Sequence, residues 1–101
     1  MLKKMCLEAN ERTQRGEVEI WCYQLQHEGG LFFLYKNLTD SFVLKEEVIY
    51  ELGGLEIEDQ ADQTKVTVEL GPGEERIIKL RATEGPWSIS QSISTSIEQV
   101  A

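Results

Sequence analysis

One cysteine and one histidine are the residues best suited to chemistry in this sequence. Cys22 lies five residues before His27, the only histidine in the chain. A cysteine nucleophile needs a histidine base in contact with it and a third group that orients the histidine. On a single strand, positions 22 and 27 face opposite sides of the sheet, so this pair does not predict a catalytic site. We therefore expect a chain that is not an enzyme and has no catalytic residues.

Four carboxylates between positions 56 and 62 form the other candidate site. Calcium binds carboxylate oxygens, and the loops between strands can hold it. The segment lacks the Asp-x-Asp-x-Asp-Gly spacing of a dedicated calcium loop, and a solvated loop is the usual explanation of such an acidic run. We expect no cofactor, with calcium as the alternative. Its candidate ligands are Glu56, Glu58, Asp59 and Asp62.

Serines and glycines supply no further site. The serines follow one another at alternate positions without the Gly-x-Ser-x-Gly turn that exposes a serine nucleophile. The turn around Gly71 and Gly73 resembles a phosphate cradle only in its glycines, because Glu74 and Glu75 follow where an anion would lie.

The serine row instead indicates secondary structure. Serine occupies every second position from Ser88 to Ser96. This period is typical of a β-strand with one solvent-exposed face. We expect this long strand to bend or break near Gln91. The residues expected to enter the core are Trp87, Ile89, Ile93 and Ile97.

Short apolar or alternating segments precede this strand, and turn residues separate them. Seven to eight strands at spacings of about 8 to 12 residues, with no long helical pattern, predict an antiparallel β-sandwich. The run 31–35 is the candidate for a central strand, and 42–52 is expected to bulge near Glu46. The segments are 17–26, 31–35, 42–52, 55–57, 65–70, 76–82 and the serine strand.

Length and charge limit the possible functions. The 101 residues fit one domain, which we place at 17–98, after a flexible or docked lead at 1–16 and before a tail at 99–101. The 10 basic and 18 acidic residues give a net charge of −8, which argues against nucleic acid and anionic membranes. We also expect no transmembrane segment, because no apolar run is long enough.

The two cysteines indicate the compartment. Small secreted domains that depend on disulfides usually carry four or more cysteines, whereas this chain has Cys6 and Cys22 only. Reduced thiols in the cytoplasm are therefore expected, and a Cys6–Cys22 bridge would favour an extracellular domain.

Several segments resemble one family. Cys22-Tyr23-Gln24-Leu25 followed by the run 30–37 is similar to the opening of the C-terminal β-sandwich module of calpain-like cysteine proteases, of the small-optic-lobes type. The tetrapeptide at 39–42, Thr-Asp-Ser-Phe, and the segments at 72–80 and 87–90 are similar to further parts of that module. The resemblance covers about residues 17 to 97.

The resemblance implies a domain III-like or C2-like accessory module attached to a papain-like protease core. Such a module regulates the intracellular protease through intramolecular or protein–protein contacts, and its partner is the protease core or another protein. No catalytic motif of the family has a counterpart here. Two alternatives remain: an immunoglobulin-like binding or adhesion domain, and an acidic calcium-binding sandwich of C2 type. The oligomeric state is open.

Overall fold

Eight β-strands make up the fold. The computed structural model describes residues 11–27, 29–83 and 86–100, and no helix occurs within these ranges. The strands are β1 (Glu11–Gln14), β2 (Ile20–His27), β3 (Gly30–Asn37), β4 (Phe42–Gly53), β5 (Leu55–Ile57), β6 (Lys65–Leu70), β7 (Glu75–Ala82) and β8 (Ser88–Gln99).

The strands form two antiparallel sheets. The larger sheet has the order β1-β2-β3-β7-β5, and the smaller one has the order β6-β4-β8. Strand β3 is central in the larger sheet, which confirms the prediction for the run 31–35. After β3, each connection carries the chain from one sheet to the other. The predicted antiparallel β-sandwich is confirmed.

The alternating segments fill the space between the sheets. Strand β6 shows the pattern most simply, because Val66, Val68 and Leu70 are buried while the residues between them are exposed. Equivalent positions on β2, β3, β4 and β7 meet them from the other strands. The core also contains Ile20, Cys22, Leu31, Phe33, Tyr35, Leu44, Val48, Tyr50, Leu55, Ile57, Ile78 and Leu80.

Asn37 ties the two sheets together at the end of β3. Its side chain is 1% exposed, and its Nδ2 donates to the carbonyl oxygens of Phe42 (2.8 Å) and Leu70 (3.1 Å) in the smaller sheet. Its Oδ1 accepts from the backbone N and the hydroxyl of Thr39 at 3.0 and 2.6 Å. The amide therefore fixes the crossing from β3 to β4.

Three details differ from the sequence-based predictions. Residues 11–14, assigned to the N-terminal lead, form β1, because their backbone completes the free edge of β2. No bulge occurs near Glu46: the β4 register with β6 and β8 is continuous, and Glu46 points inward. Strand β8 does not split near Gln91, since all twelve of its residues pair with β4.

The inward positions of β8 are covered unevenly. The serines at 88, 90, 92, 94 and 96 are exposed as predicted, and Trp87, Ile89 and Ile97 pack against the core. Ile93 was predicted to be buried but is 41% exposed. The reason is that β8 lies at the edge of its sheet, where the opposing sheet covers it incompletely. It also extends to Gln99, one residue past the predicted domain boundary.

Candidate protein-binding face

The four candidate calcium ligands lie on β5 and in the loop after it, and two of their carboxylates have partners within the chain. Glu56 pairs with Arg81, with 2.7 Å between Oε2 and Nη2. Asp62 accepts hydrogen bonds from the hydroxyl and backbone N of Thr64, at 2.6 and 2.9 Å, and these lower its pKa. Asp59 has a φ of 61° in the turn after β5.

Within residues 11–27, 29–83 and 86–100, no group of three or more His, Cys, Asp or Glu side chains is arranged to hold a metal ion. Calcium at Glu56, Glu58, Asp59 and Asp62 remains a prediction.

Cys22 and His27 both lie on β2, and of these two side chains the structure describes that of Cys22. Cys22 is 5% exposed and belongs to the core between the sheets. His27 ends β2, and its side chain lies outside what the structure describes, as does Cys6. At the turn around Gly71 and Gly73, the Glu74 carboxylate accepts a hydrogen bond from the backbone N of Gly71. The side chain of Glu74 therefore takes the place that a bound phosphate would have in a phosphate cradle.

A charge cluster that the sequence did not predict lies between the sheets. The Glu46 side chain on β4 is completely buried, and its Oε1 accepts hydrogen bonds from Arg15 Nε (2.6 Å) and Thr95 Oγ1 (2.9 Å). The hydroxyl of Tyr35 donates to Oε2. Three residues from three other parts of the chain therefore satisfy a single carboxylate.

The electrostatics of this cluster favour a structural role. Burial lowers the pKa of Arg15, but the hydrogen bond and charge of Glu46 outweigh that effect and raise it. The guanidinium also lies over the Tyr35 ring, 5.7 Å from its centroid. The Glu46 carboxylate is buried, paired and hydrogen-bonded, so the cost of burying its charge is offset, and loss of either charge would leave the other uncompensated.

The larger sheet has a second apolar face, directed away from the core. In its register Tyr23 lies opposite Leu34, and Leu34 lies opposite Ile77, so the three share one face. Leu34 is 0% exposed yet does not belong to the central core, and the apolar residues around it are half-buried. The members of this outer face are Trp21, Tyr23, Leu25, Phe32, Leu34 and Ile77.

Basic residues border the outer face. The guanidinium of Arg12 lies 4.7 Å from the centroid of the Trp21 ring, and Trp21 Nε1 donates to Glu19 Oε2 at 2.8 Å. Lys79 is exposed and makes no ion pair within the described ranges, whereas Lys36 pairs with Glu75. Four basic residues, Arg12, Lys36, Lys79 and Arg81, stand at this border beside four acidic ones, Glu19, Glu56, Glu58 and Glu75. Lys36 and Arg81 pair with carboxylates, so Arg12 and Lys79 are the cations that make no ion pair among the described residues.

The outer face of the smaller sheet is different. Serines from β8 and charged residues from β4 and β6 dominate it, and Ile49, at 49% exposure, is its largest exposed apolar side chain. The signal for this difference was present in the sequence. Apolar residues occupy both alternations of β2 and β3, whereas β6 and β8 alternate with polar ones.

Comparisons with protein-family models, with curated proteins and with solved structures give no match to this chain. No helix in the described part of the chain is long and apolar enough to cross a membrane. The candidate site therefore rests on the geometry of this chain: an apolar face of the five-stranded sheet with Arg12 and Lys79 at its border.

Proposed function

We propose that this chain is a non-catalytic β-sandwich module that binds protein through the outer face of its five-stranded sheet. The observation that carries the proposal is the second apolar face, on which Trp21, Tyr23, Leu25, Phe32 and Ile77 are half-buried around the fully buried Leu34. The resemblance to the C-terminal module of calpain-like cysteine proteases supplies the setting. In that setting the module is cytoplasmic, and its partner is the papain-like protease core.

The chemistry of the face defines the partner surface. Tyrosine and tryptophan provide large contact areas at low entropic cost, and they are enriched among the residues that dominate binding energy. Lys79 and Arg12 add positive charge at the border. The complementary surface is therefore apolar at its centre and acidic at its rim, so that the charges meet without desolvating a buried ion pair.

Isothermal titration calorimetry tests the proposal by measuring the Kd between the purified chain and the papain-like core of a calpain-type protease. The variant Ile77→Ser removes an aliphatic side chain from the centre of the outer face. Its matched control is Ile49→Ser, the same change on the outer face of the smaller sheet. We expect Ile77→Ser to weaken binding about tenfold or more, which corresponds to about 1.4 kcal/mol, and Ile49→Ser to bind like the parent chain.

A charge reversal makes the test independent of packing. Lys79→Glu is expected to weaken binding and to reduce its salt dependence, whereas Lys45→Glu on the smaller sheet leaves both unchanged. Thermal melting of each variant verifies that it is folded. Absence of binding by the parent chain, or equal losses in the paired variants, would overturn the proposal.

A rise in melting temperature on addition of calcium would instead support the C2-type alternative.

A further inference from the structure

The last strand has an open edge. Strand β8 spans Ser88–Gln99, and one of its edges pairs with β4 along the full length. No strand among the described residues pairs with its other edge. Every strand presents backbone N–H and C=O groups on both sides, so this edge offers hydrogen-bonding groups to another strand.

The edge carries little of the protection that normally prevents pairing. Lysine, proline, bulges and short length are the usual means of blocking an edge strand. Strand β8 contains no lysine, arginine or proline, and its register with β4 is unbroken over twelve residues. Its single charged residue is Glu98, close to one end.

The inward face of β8 is incompletely covered near its middle. Gly16, in the turn after β1, lies against Ile97 and covers that end of the strand. Ile93, four residues away, is 41% exposed although it faces the same way as the core residues of β4. An added strand beside β8 would bring apolar side chains next to Ile93 and remove part of this surface from water.

The sequence of β8 is close to a palindrome centred on Ile93. In an antiparallel pair of two copies with Ile93 opposite Ile93, every isoleucine meets an isoleucine and no like charges face each other. The matched positions are Ile89 with Ile97, Ser90 with Ser96, Gln91 with Thr95, Ser92 with Ser94, and Ser88 with Glu98. Directly opposed side chains are the unit of stabilisation between strands, so this register suits a copy of the same chain.

We propose that two copies of the chain form a symmetric dimer through antiparallel pairing of β8. The two-fold axis passes beside Ile93, and the three-stranded sheets join into one continuous sheet with the order β6-β4-β8-β8-β4-β6. This is an isologous interface made by strand addition. It uses a different surface from the protein-binding face, so the two proposals stand or fall separately.

Sedimentation of the full chain over a range of concentrations tests the dimer. The parent chain has a mass of 11.5 kDa. At roughly 100 µM we expect about twice that mass, because a dimer with a micromolar Kd is then almost completely formed. Ile93→Lys places two lysines opposite each other at the axis and is expected to weaken association tenfold or more. Its control is Ile49→Lys, the same change at a similarly exposed site on the neighbouring strand, away from the edge.

A parent chain that stays monomeric, or lysine variants that dissociate equally, would overturn the proposal. Cross-linking gives a second measurement that needs no destabilised variant. In the proposed register, Ile93→Cys lies opposite itself within disulfide range and forms a covalent dimer on mild oxidation, beyond any background in the parent chain.

The same experiment distinguishes the direction of pairing. Ser90→Cys alone is expected not to cross-link, because Ser96 of the other copy opposes it, whereas the double variant Ser90→Cys/Ser96→Cys does. Cross-linking of Ser90→Cys alone would indicate parallel strands and contradict the antiparallel dimer.

Discussion

At the scale of single residues, Glu46 is the position that sequence reasoning missed. The charged segment Lys45-Glu46-Glu47 interrupts the apolar alternation of this strand, and the sequence predicts a bulge near Glu46. The structure keeps the alternation and buries the carboxylate, because Tyr35 on β3, Thr95 on β8 and Arg15 in the connection after β1 converge on it. Partners this distant in sequence leave no local signal.

The first prediction concerns this carboxylate. Glu46→Leu leaves the Arg15 guanidinium without its counter-ion and removes the acceptor of two hydroxyl groups, so we expect a loss of about 3 to 5 kcal/mol in the free energy of unfolding. Glu47→Leu is the matched control, because its pair with Lys65 is largely exposed and worth at most about 1 kcal/mol. Urea unfolding measures both variants. Equal losses would contradict the structural role of Glu46.

Buried tyrosines give the stability a dependence on alkaline pH. Burial raises the pKa of both Tyr35 and Tyr50 well above the ordinary value of 10. A raised pKa in the folded state means that the unfolded chain loses these protons first, so the stabilisation is complete below pH 10 and falls as the pH rises above it.

Tyr50→Phe removes one of these two groups. We expect the loss of stability per pH unit above pH 10 to become smaller by up to about 1.4 kcal/mol, the value for one proton. Unfolding measured between pH 8 and pH 11.5 decides the matter. An unchanged slope in Tyr50→Phe would show that Tyr50 does not contribute.

At the scale of elements, the strands with clean alternation were predictable and the edges were not. In strand β6 the apolar residues are buried and the polar residues are exposed, as their alternation in the sequence predicts. Strand β1 was missed because residues 11–14 have no apolar period, and their strand conformation follows from backbone pairing to β2. The exposure of Ile93 could not be predicted either, because it depends on how far the opposite sheet extends over β8.

The β2–β3 hairpin depends on one glycine. Gly30 has a φ of 137°, and a Cβ at this position would overlap the carbonyl oxygen of Leu80 on β7. We expect Gly30→Ala to lower the free energy of unfolding by roughly 2 to 5 kcal/mol, through strain and overpacking together. Gly73→Ala is the control, because Gly73 also has a positive φ but nothing within 4 Å of the added carbon.

That control isolates the contribution of strain, for which about 1 kcal/mol is expected. Thermal or urea unfolding of both variants provides the comparison. If Gly73→Ala cost as much as Gly30→Ala, the close approach of β3 and β7 would not explain the glycine.

At the scale of the whole molecule, the fold class could be predicted from the periodicity of the sequence. The outer face of the five-stranded sheet could be identified only from the structure. The sequence showed that β2 and β3 are apolar on both sides, but only the register places Tyr23, Leu34 and Ile77 together on the outside of the five-stranded sheet. Of the four acidic residues that form the candidate calcium site, Asp62 accepts hydrogen bonds from Thr64 and Glu56 pairs with Arg81.

The molecule thus presents three distinct surfaces. One face of the five-stranded sheet is apolar with Arg12 and Lys79 at its border, the opposite outer face is polar and rich in serine, and one edge of β8 has no strand partner among the described residues. The half-buried tryptophan, tyrosine and aliphatic side chains of the first surface are residue types found in protein–protein interfaces.

Trp21 provides the most direct measurement of the protein-binding proposal. The chain has two tryptophans, and Trp87 packs against the core, so Trp87→Phe leaves Trp21 on the outer face as the only reporter. Addition of the papain-like core of a calpain-type protease is predicted to shift the Trp21 emission to shorter wavelength and to protect it from iodide quenching. Unchanged emission and quenching at saturating concentrations of that protease core would contradict the proposed function.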